Sequence, residues 1–234
     1  MSGEAGFRAA RRHAGELGRP LEVYADRPGT VVVGAIVFVW LIFTGLTLIN
    51  PAESPLLIAA PGIIFALLAA GILVLISGER LIVCERGLLV GSVAPGMRPY
   101  IVRYEQIVPG SLVPVTGAGR YGRETGTGGF PQSTVRRSAW NRQGIHFVGP
   151  SAQAARRRPA LIAVLQDPPP RSVDGRWVWF AGTGRTSPET LTARIAQAAG
   201  ASGAQQLARA TASAPARKLS GDPAEAAAHL PGLR

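Results

Sequence analysis

The sequence predicts an α+β membrane protein: a two-helix transmembrane hairpin, then an antiparallel β-barrel or sandwich, capped by a C-terminal α-helix. Three observations lead to this prediction. Residues 30–49 and 56–76 carry no charged side chain. Short β-branched runs bounded by Gly, Pro and Asp follow from residue 81 onward. Near the end, Ser187-Pro188-Glu189 opens a helical pattern that stops at Gly200.

The first segment, residues 1–28, mixes arginines with acids and shows no sustained apolar period. We therefore expect a loosely ordered, cytoplasmic N-terminal segment. Arginines lie before the first apolar run and soon after the second, whereas the joining segment has Glu53 and no Lys or Arg. By the positive-inside rule, this asymmetry predicts that both termini face the cytoplasm.

The hairpin is predicted over residues 29–77, with helices at 30–49 and 55–77. Each run has the roughly 20 residues that a helix needs to cross ~30 Å of hydrocarbon. Ser54 is placed as an N-cap and Pro55 as the first helical residue. Two other interpretations remain open: a cleaved signal peptide for the first run, and a hairpin that enters one leaflet and returns.

The strands are expected to be short and antiparallel. The first two flank the turn Glu85-Arg86-Gly87, a pattern typical of a β-hairpin. Strands this short and this evenly spaced favour a sandwich or small barrel. The predicted strands are 81–84, 88–90, 100–108, 145–148, 160–166 and 177–181.

Two further segments are expected to lack regular structure. The insert 116–138 is Gly-rich, but it has no Gly-Lys-Ser/Thr and runs into Phe130-Pro131, so a flexible loop fits it better than a phosphate-binding loop. Residues 201–234 are Ala-rich with few large apolar side chains, and they are predicted to be a disordered tail.

The order of these parts resembles a known family. The features that show the resemblance are the helical hairpin, the run Leu-Ile-Val-Cys-Glu-Arg-Gly-Leu-Leu-Val from Leu81, the strand Trp177-Val178-Trp179-Phe180, a Gly-Thr-Gly turn, and the segment Ser-Pro-Glu-x-Leu at the start of the last predicted helix. Together they resemble actinobacterial two-span membrane proteins with a bacterial PH-like (pleckstrin homology-like) domain. The resemblance covers roughly residues 80–200 and implies a bent seven-stranded barrel capped by a C-terminal helix, here the domain predicted over residues 79–200.

Positive charge is the strongest functional signal. The chain has a formal net charge of +11, and residues 79–200 contribute 16 Arg against seven acids. Such a domain at an inner leaflet is expected to contact anionic lipids. The candidate contact residues are Arg136, Arg137, Arg156, Arg157 and Arg158. Nucleic-acid binding is not expected, because no recognition helix or stacking motif accompanies the charge.

No catalytic or metal-binding pattern is evident. The three histidines, His13, His146 and His229, lie far apart in the sequence without carboxylate partners, and Cys84 is the only cysteine. No Gly-x-Ser-x-Gly elbow is present. We therefore expect no enzyme activity, no metal and no cofactor.

The sequence leads to one functional hypothesis and two alternatives. The hypothesis is a multi-pass protein of the bacterial plasma membrane whose cytoplasmic PH-like domain is an interaction module for a protein partner, an anionic lipid surface, or both. The first alternative is an accessory or scaffold subunit that acts through its hairpin within a larger membrane complex. The second is an enzyme that uses the insert as a lid.

Overall fold

The computed structural model describes residues 2–25, 30–49, 55–94, 98–125, 134–137, 141–156, 172–173 and 175–233. The predicted strand at 160–166 lies outside these residues. Within them the chain is α+β, and its strand pairs are antiparallel except for two short parallel pairs in the second sheet. The fold class is confirmed at that level.

The N-terminal segment is ordered. It forms helices α1 (Ser2–Arg11) and α2 (Ala14–Leu17) and strand β1 (Pro20–Ala25). Ala10 and Leu17 are fully buried, and they pack in one apolar cluster with Ile82, Cys84 and Leu89. This burial is the physical reason why the segment differs from the predicted loose lead-in.

The uncharged runs form helices α3 (Thr30–Ile49) and α4 (Pro55–Ser77), which pack against each other. Trp40 Nε1 donates a hydrogen bond to the Gly62 carbonyl at 3.2 Å. Thr44 Oγ1 would lie 3.4 Å from a Cβ added at Gly62, so the helices approach closely there.

The predicted transmembrane hairpin is contradicted. Across the part of the chain that the structure describes, no helix is long and apolar enough to cross a membrane. The same finding contradicts two other predictions, an integral two-span membrane association and a multi-pass plasma-membrane localisation.

The first sheet contains strands from both sides of helices α3 and α4. Its strands are β1, β2 (Glu79–Cys84), β3 (Gly87–Ser92) and β4 (Tyr100–Arg103), in that order and all antiparallel. Tyr24 lies opposite Leu81, and Ala25 lies opposite Arg80. The helix pair is therefore an insertion between two neighbouring strands of one sheet.

The second sheet is built around an antiparallel meander of β5, β7 and β9. Its strands are β5 (Val113–Thr116), β6 (Val135–Arg136), β7 (Gln143–Gly149), β8 (Ser172–Val173), β9 (Arg176–Gly182) and β10 (Arg217–Lys218). The order is β10-β5-β7-β9-β6, and β8 pairs with β9. The intervening helical segments are two 3-10 turns (Tyr104–Gln106 and Ala118–Arg120), α5 (Tyr121–Glu124) and α6 (Ala152–Arg156).

The main core lies between the two sheets and beneath helix α7 (Pro188–Ala201). Strand side chains alternate: Phe147 and Trp179 face this core, while Val148 and Phe180 face outward into a second cluster. Leu191 and Ile195 of α7 are fully buried in the main core. The predicted cap is present, since Ser187 Oγ accepts the Thr190 N–H at 3.1 Å.

The last segment is ordered where the sequence predicted a disordered tail. Helix α8 (Gln205–Ala212) packs on α7. Strand β10 pairs with β5 at the edge of the second sheet, and helix α9 (Pro223–His229) lies on the outer face of that sheet. Leu207, Leu219, Leu230 and Leu233 are all buried. Few apolar residues suffice here because the sheet already presents its own apolar outer face.

Part of the predicted flexible insert is also structured. Tyr121, Glu124, Thr125 and Thr134 are buried, and Ala118 N–H donates to the Arg142 carbonyl at 2.8 Å. Residues 126–133 and 138 of the insert lie outside the described residues.

Candidate functional site

An aromatic stack at the edge of the first sheet forms the base of the candidate site. Tyr100 is buried and meets the Trp179 ring edge-on, with 5.1 Å between the centroids. Trp179 is stacked on Phe147 at 5.9 Å, and its Nε1 donates to the Pro150 carbonyl at 2.8 Å. The Tyr100 ring is therefore held in place by packing and by a hydrogen-bonded neighbour.

Two guanidinium groups lie over the Tyr100 ring. The Cζ atoms of Arg136 and Arg156 lie 4.7 and 4.2 Å from its centroid. Arg136 Nη2 also donates to the Tyr100 hydroxyl at 2.9 Å. Cation–π contacts at this distance contribute about 0.5–2 kcal/mol each, with the larger values where the cation is desolvated.

One carboxylate balances part of this charge. Arg136 Nη1 lies 3.4 Å from Glu79 Oε1, and both side chains are less than one-fifth exposed. Two arginines against one glutamate leave the cluster with a local charge of +1. The Nε atoms of Arg136 and Arg156 are buried and have no hydrogen-bond partner among the described residues.

The cluster carries two like charges at short range. Arg136 and Arg156 lie over the same ring and repel each other, so the cluster favours an anion beside it. We refer to Tyr100, Arg136, Arg156 and Glu79 as the Tyr100 cluster.

The structure brings together two of the five predicted contact residues. Arg136 and Arg156 meet at Tyr100, although they are 20 positions apart in the sequence. Arg137 is directed elsewhere: its guanidinium donates to the carbonyls of Asn141 at 3.2 Å and Gly119 at 2.5 Å. Arg157 and Arg158 lie outside the described residues.

The sequence did not identify Tyr100 and Glu79 as site residues. Tyr100 was predicted only as one of several alternating strand residues, and Glu79 only as a residue near the start of the domain. A tyrosine at the edge of a strand is a common feature, so the sequence carried no signal that arginines would lie over it.

A second polar cluster lies on the outer face of the second sheet. His146 is fully buried in β7, its Nδ1 is hydrogen-bonded to the Tyr121 hydroxyl, and its Nε2 lies 2.8 Å from the Pro231 carbonyl. Burial lowers the pKa of His146 from 6.5 to about 4, although the hydrogen bond to Pro231 acts in the opposite direction. The imidazole is therefore neutral at pH 7.

The one cysteine of the chain is shielded. Cys84 is buried, and burial, with a smaller effect of Glu85, raises the pKa of its thiol to about 12. Within the described ranges, no group of three or more His, Cys, Asp and Glu side chains could hold a metal ion.

Comparison with known proteins identifies no relative. No protein family model, curated protein or solved structure matches the chain significantly. The resemblance to PH-like proteins therefore stays a prediction, and the interpretation of the site depends on its geometry.

Proposed function

We propose that the protein is a non-catalytic binding module that holds a phosphate-like anionic group at the Tyr100 cluster. The observation that carries this proposal is the pair of guanidinium groups over one fixed ring, balanced by a single carboxylate. In this proposal the domain is PH-like, an interpretation that the two sheets and the packing of helix α7 on their shared core support.

The chemistry of arginine suits such a ligand. A guanidinium presents several N–H donors in a plane and pairs with phosphate oxygens at two points. Here the ring of Tyr100 orients both groups before a ligand arrives, which lowers the entropy lost on binding. Because Arg136 forms an ion pair with Glu79, Arg156 is the guanidinium expected to pair with the negative charge of the ligand.

The non-catalytic part of the proposal has separate support. His146 has a hydrogen-bond partner on each ring nitrogen, and the Cys84 thiol is buried and protonated at pH 7. Neither residue is available as a base or a nucleophile.

The test uses the full chain and two probes that separate the sources of the anion. Inorganic pyrophosphate is titrated by calorimetry, and sedimentation is measured with vesicles of neutral phosphatidylcholine with and without anionic phosphatidylglycerol. We expect Arg156→Gln to weaken binding about 10- to 150-fold, since a charge-assisted hydrogen bond contributes about 1.5–3 kcal/mol. The matched control is Arg142→Gln, which removes an exposed arginine outside the Tyr100 cluster and is expected to change binding less than about threefold.

Each outcome has a defined meaning. Saturable pyrophosphate binding that depends on Arg156 supports a phosphate site. Binding to anionic vesicles alone that depends on Arg156 assigns the anion to a lipid surface. An equal loss of affinity in Arg156→Gln and Arg142→Gln, or no binding of pyrophosphate or vesicles, contradicts the proposal.

A further inference from the structure

We propose that residues 217–233 form a releasable cover on the outer face of the second sheet, and that protonation of His146 opens it. We call this segment the C-terminal cover. It contains strand β10 and helix α9, and it packs against β5, β7, β9 and α5.

The hydrogen bonds of His146 define its protonation state in the closed arrangement. A carbonyl oxygen can only accept, so Nε2 donates its proton to the Pro231 carbonyl. Nδ1 then accepts from the Tyr121 hydroxyl in the neutral ring. One nitrogen is thus bonded to the C-terminal cover and the other to α5, and both are satisfied only while the imidazole is neutral.

The cover is attached by few main-chain contacts. Strand β10 pairs with β5 over two residues, and the Leu219 N–H donates to the Thr116 carbonyl at 2.9 Å. The other contacts that hold it are the His146–Pro231 hydrogen bond and the buried apolar side chains of Leu219, Ala226, Leu230 and Leu233. Segments held in this way open locally more readily than the strands of a central sheet.

A proton added to His146 disfavours the closed arrangement. The imidazolium has two donors and no acceptor, so the Tyr121 hydroxyl would have to rotate to accept from it. The charge would also be buried, since His146 has no exposed surface. Release of the cover removes the Pro231 contact and gives the ring access to water, where its pKa returns toward 6.5.

Several other charged groups lie on the elements around His146. Glu124 of α5 is the one with an opposing effect: burial raises its pKa, so its protonation at acidic pH stabilises the closed cover. The Tyr121 hydroxyl, whose pKa burial raises well above 10, stays protonated throughout. The remaining groups are Arg120, Arg123 and Arg137 near α5, and Arg217, Lys218, Asp222, Glu225 and His229 on the cover.

The sign and size of the effect follow from linkage. The open state binds a proton with a pKa near 6.5 and the closed state with a pKa of about 4, so acid favours opening between these values. Relative to pH 7, the opening equilibrium is expected to rise about 20-fold at pH 5 and about 100-fold at pH 4. Above pH 6.5 the opening is expected to be nearly independent of pH.

Amide hydrogen exchange of the full chain measures the opening directly. Exchange rates of residues 217–233 are compared at pH 7, 5 and 4 after correction for the intrinsic chemical rate. His146→Gln retains one donor and one acceptor without a titratable proton, and we expect it to reduce the acid effect to less than about threefold. His229→Gln, an exposed histidine of the same segment, is the matched control and is expected to behave as the wild type.

Three results would overturn the proposal. They are unchanged protection of residues 217–233 between pH 7 and pH 4, an equal acid effect in His146→Gln, and simultaneous loss of protection in β2 and β3, which would indicate global unfolding. Tyr121→Phe is a second variant that keeps the titratable ring and removes the hydroxyl. It is expected to open at least as steeply with acid as the wild type, and a weaker acid effect would also contradict the proposal.

Discussion

The pairing of β1 with β2 can be tested by a disulfide across the inserted helix pair. Ala25 and Arg80 lie directly opposite each other and are both partly exposed, so cysteines there disturb the core little. Opposed residues of antiparallel strands have Cα atoms roughly 4.5–5.5 Å apart, within the range of disulfide geometry. The buried Cys84 is replaced by alanine in every variant to prevent exchange.

The size of the effect follows from the length of the closed loop. The bridge from residue 25 to residue 80 closes a loop of about 55 residues, and the chain-entropy relation then gives up to ~4 kcal/mol of stabilisation. A chain of this size gains about 2–4 °C in melting temperature per kcal/mol, so the oxidised variant is expected to melt up to about 8–16 °C higher than its reduced form.

The assay combines mass spectrometry of the bridge with thermal melts in the presence and absence of reductant. The control pair is Leu21→Cys with Arg80→Cys, because four residues along a strand place these positions roughly 13 Å from correct register. A bridge that forms equally well in the control, or an Ala25–Arg80 pair that stays reduced under oxidant, would refute the pairing of β1 and β2.

Two further predictions concern α7 and the C-terminal cover. Leu191 is a fully buried core residue, so Leu191→Ala is expected to lower the free energy of unfolding in denaturant by about 3–5 kcal/mol. Gln197→Ala, at an exposed position of the same helix, is expected to change it by at most about 0.5 kcal/mol, and equal effects of the two variants would mean that α7 is not docked. Gly117→Ala is expected to loosen the cover, because Gly117 has φ +74° and an added Cβ would lie 2.3 Å from the Leu219 carbonyl oxygen. Since Lys218 is the only lysine, a lysine-specific protease should cleave this variant faster at that single bond, and an unchanged rate contradicts the contact.

Local sequence patterns predicted several elements correctly. The β2–β3 hairpin follows from two β-branched runs around Glu85-Arg86-Gly87, and the start of α7 follows from Ser187 and Pro188. These features depend on residues close together in the chain, where turn chemistry and capping act directly. The strand predicted over residues 177–181 lies within β9, where Trp177 and Trp179 share one face and both contact the main core.

The candidate site was less accessible to sequence reasoning. Charge density drew attention to Arg136 and Arg156, but nothing in the sequence distinguished them from Arg137, which directly follows Arg136. Arg136 is the last residue of β6 and its side chain meets Tyr100, whereas Arg137 follows the strand and its side chain bonds to the carbonyls of Gly119 and Asn141. The pairing of a basic side chain with a ring depends on the packing of two sheets.

The sequence by itself determined the α+β class, the β2–β3 hairpin and helix α7, because periodicity and turn residues act over short distances. The tertiary structure decided the rest. It placed β1 in the first sheet across the helix pair, and it placed Leu219, Leu230 and Leu233 on the outer face of the second sheet. Both segments have too few apolar residues to fold alone, and each is ordered by an apolar face that a distant part of the chain supplies.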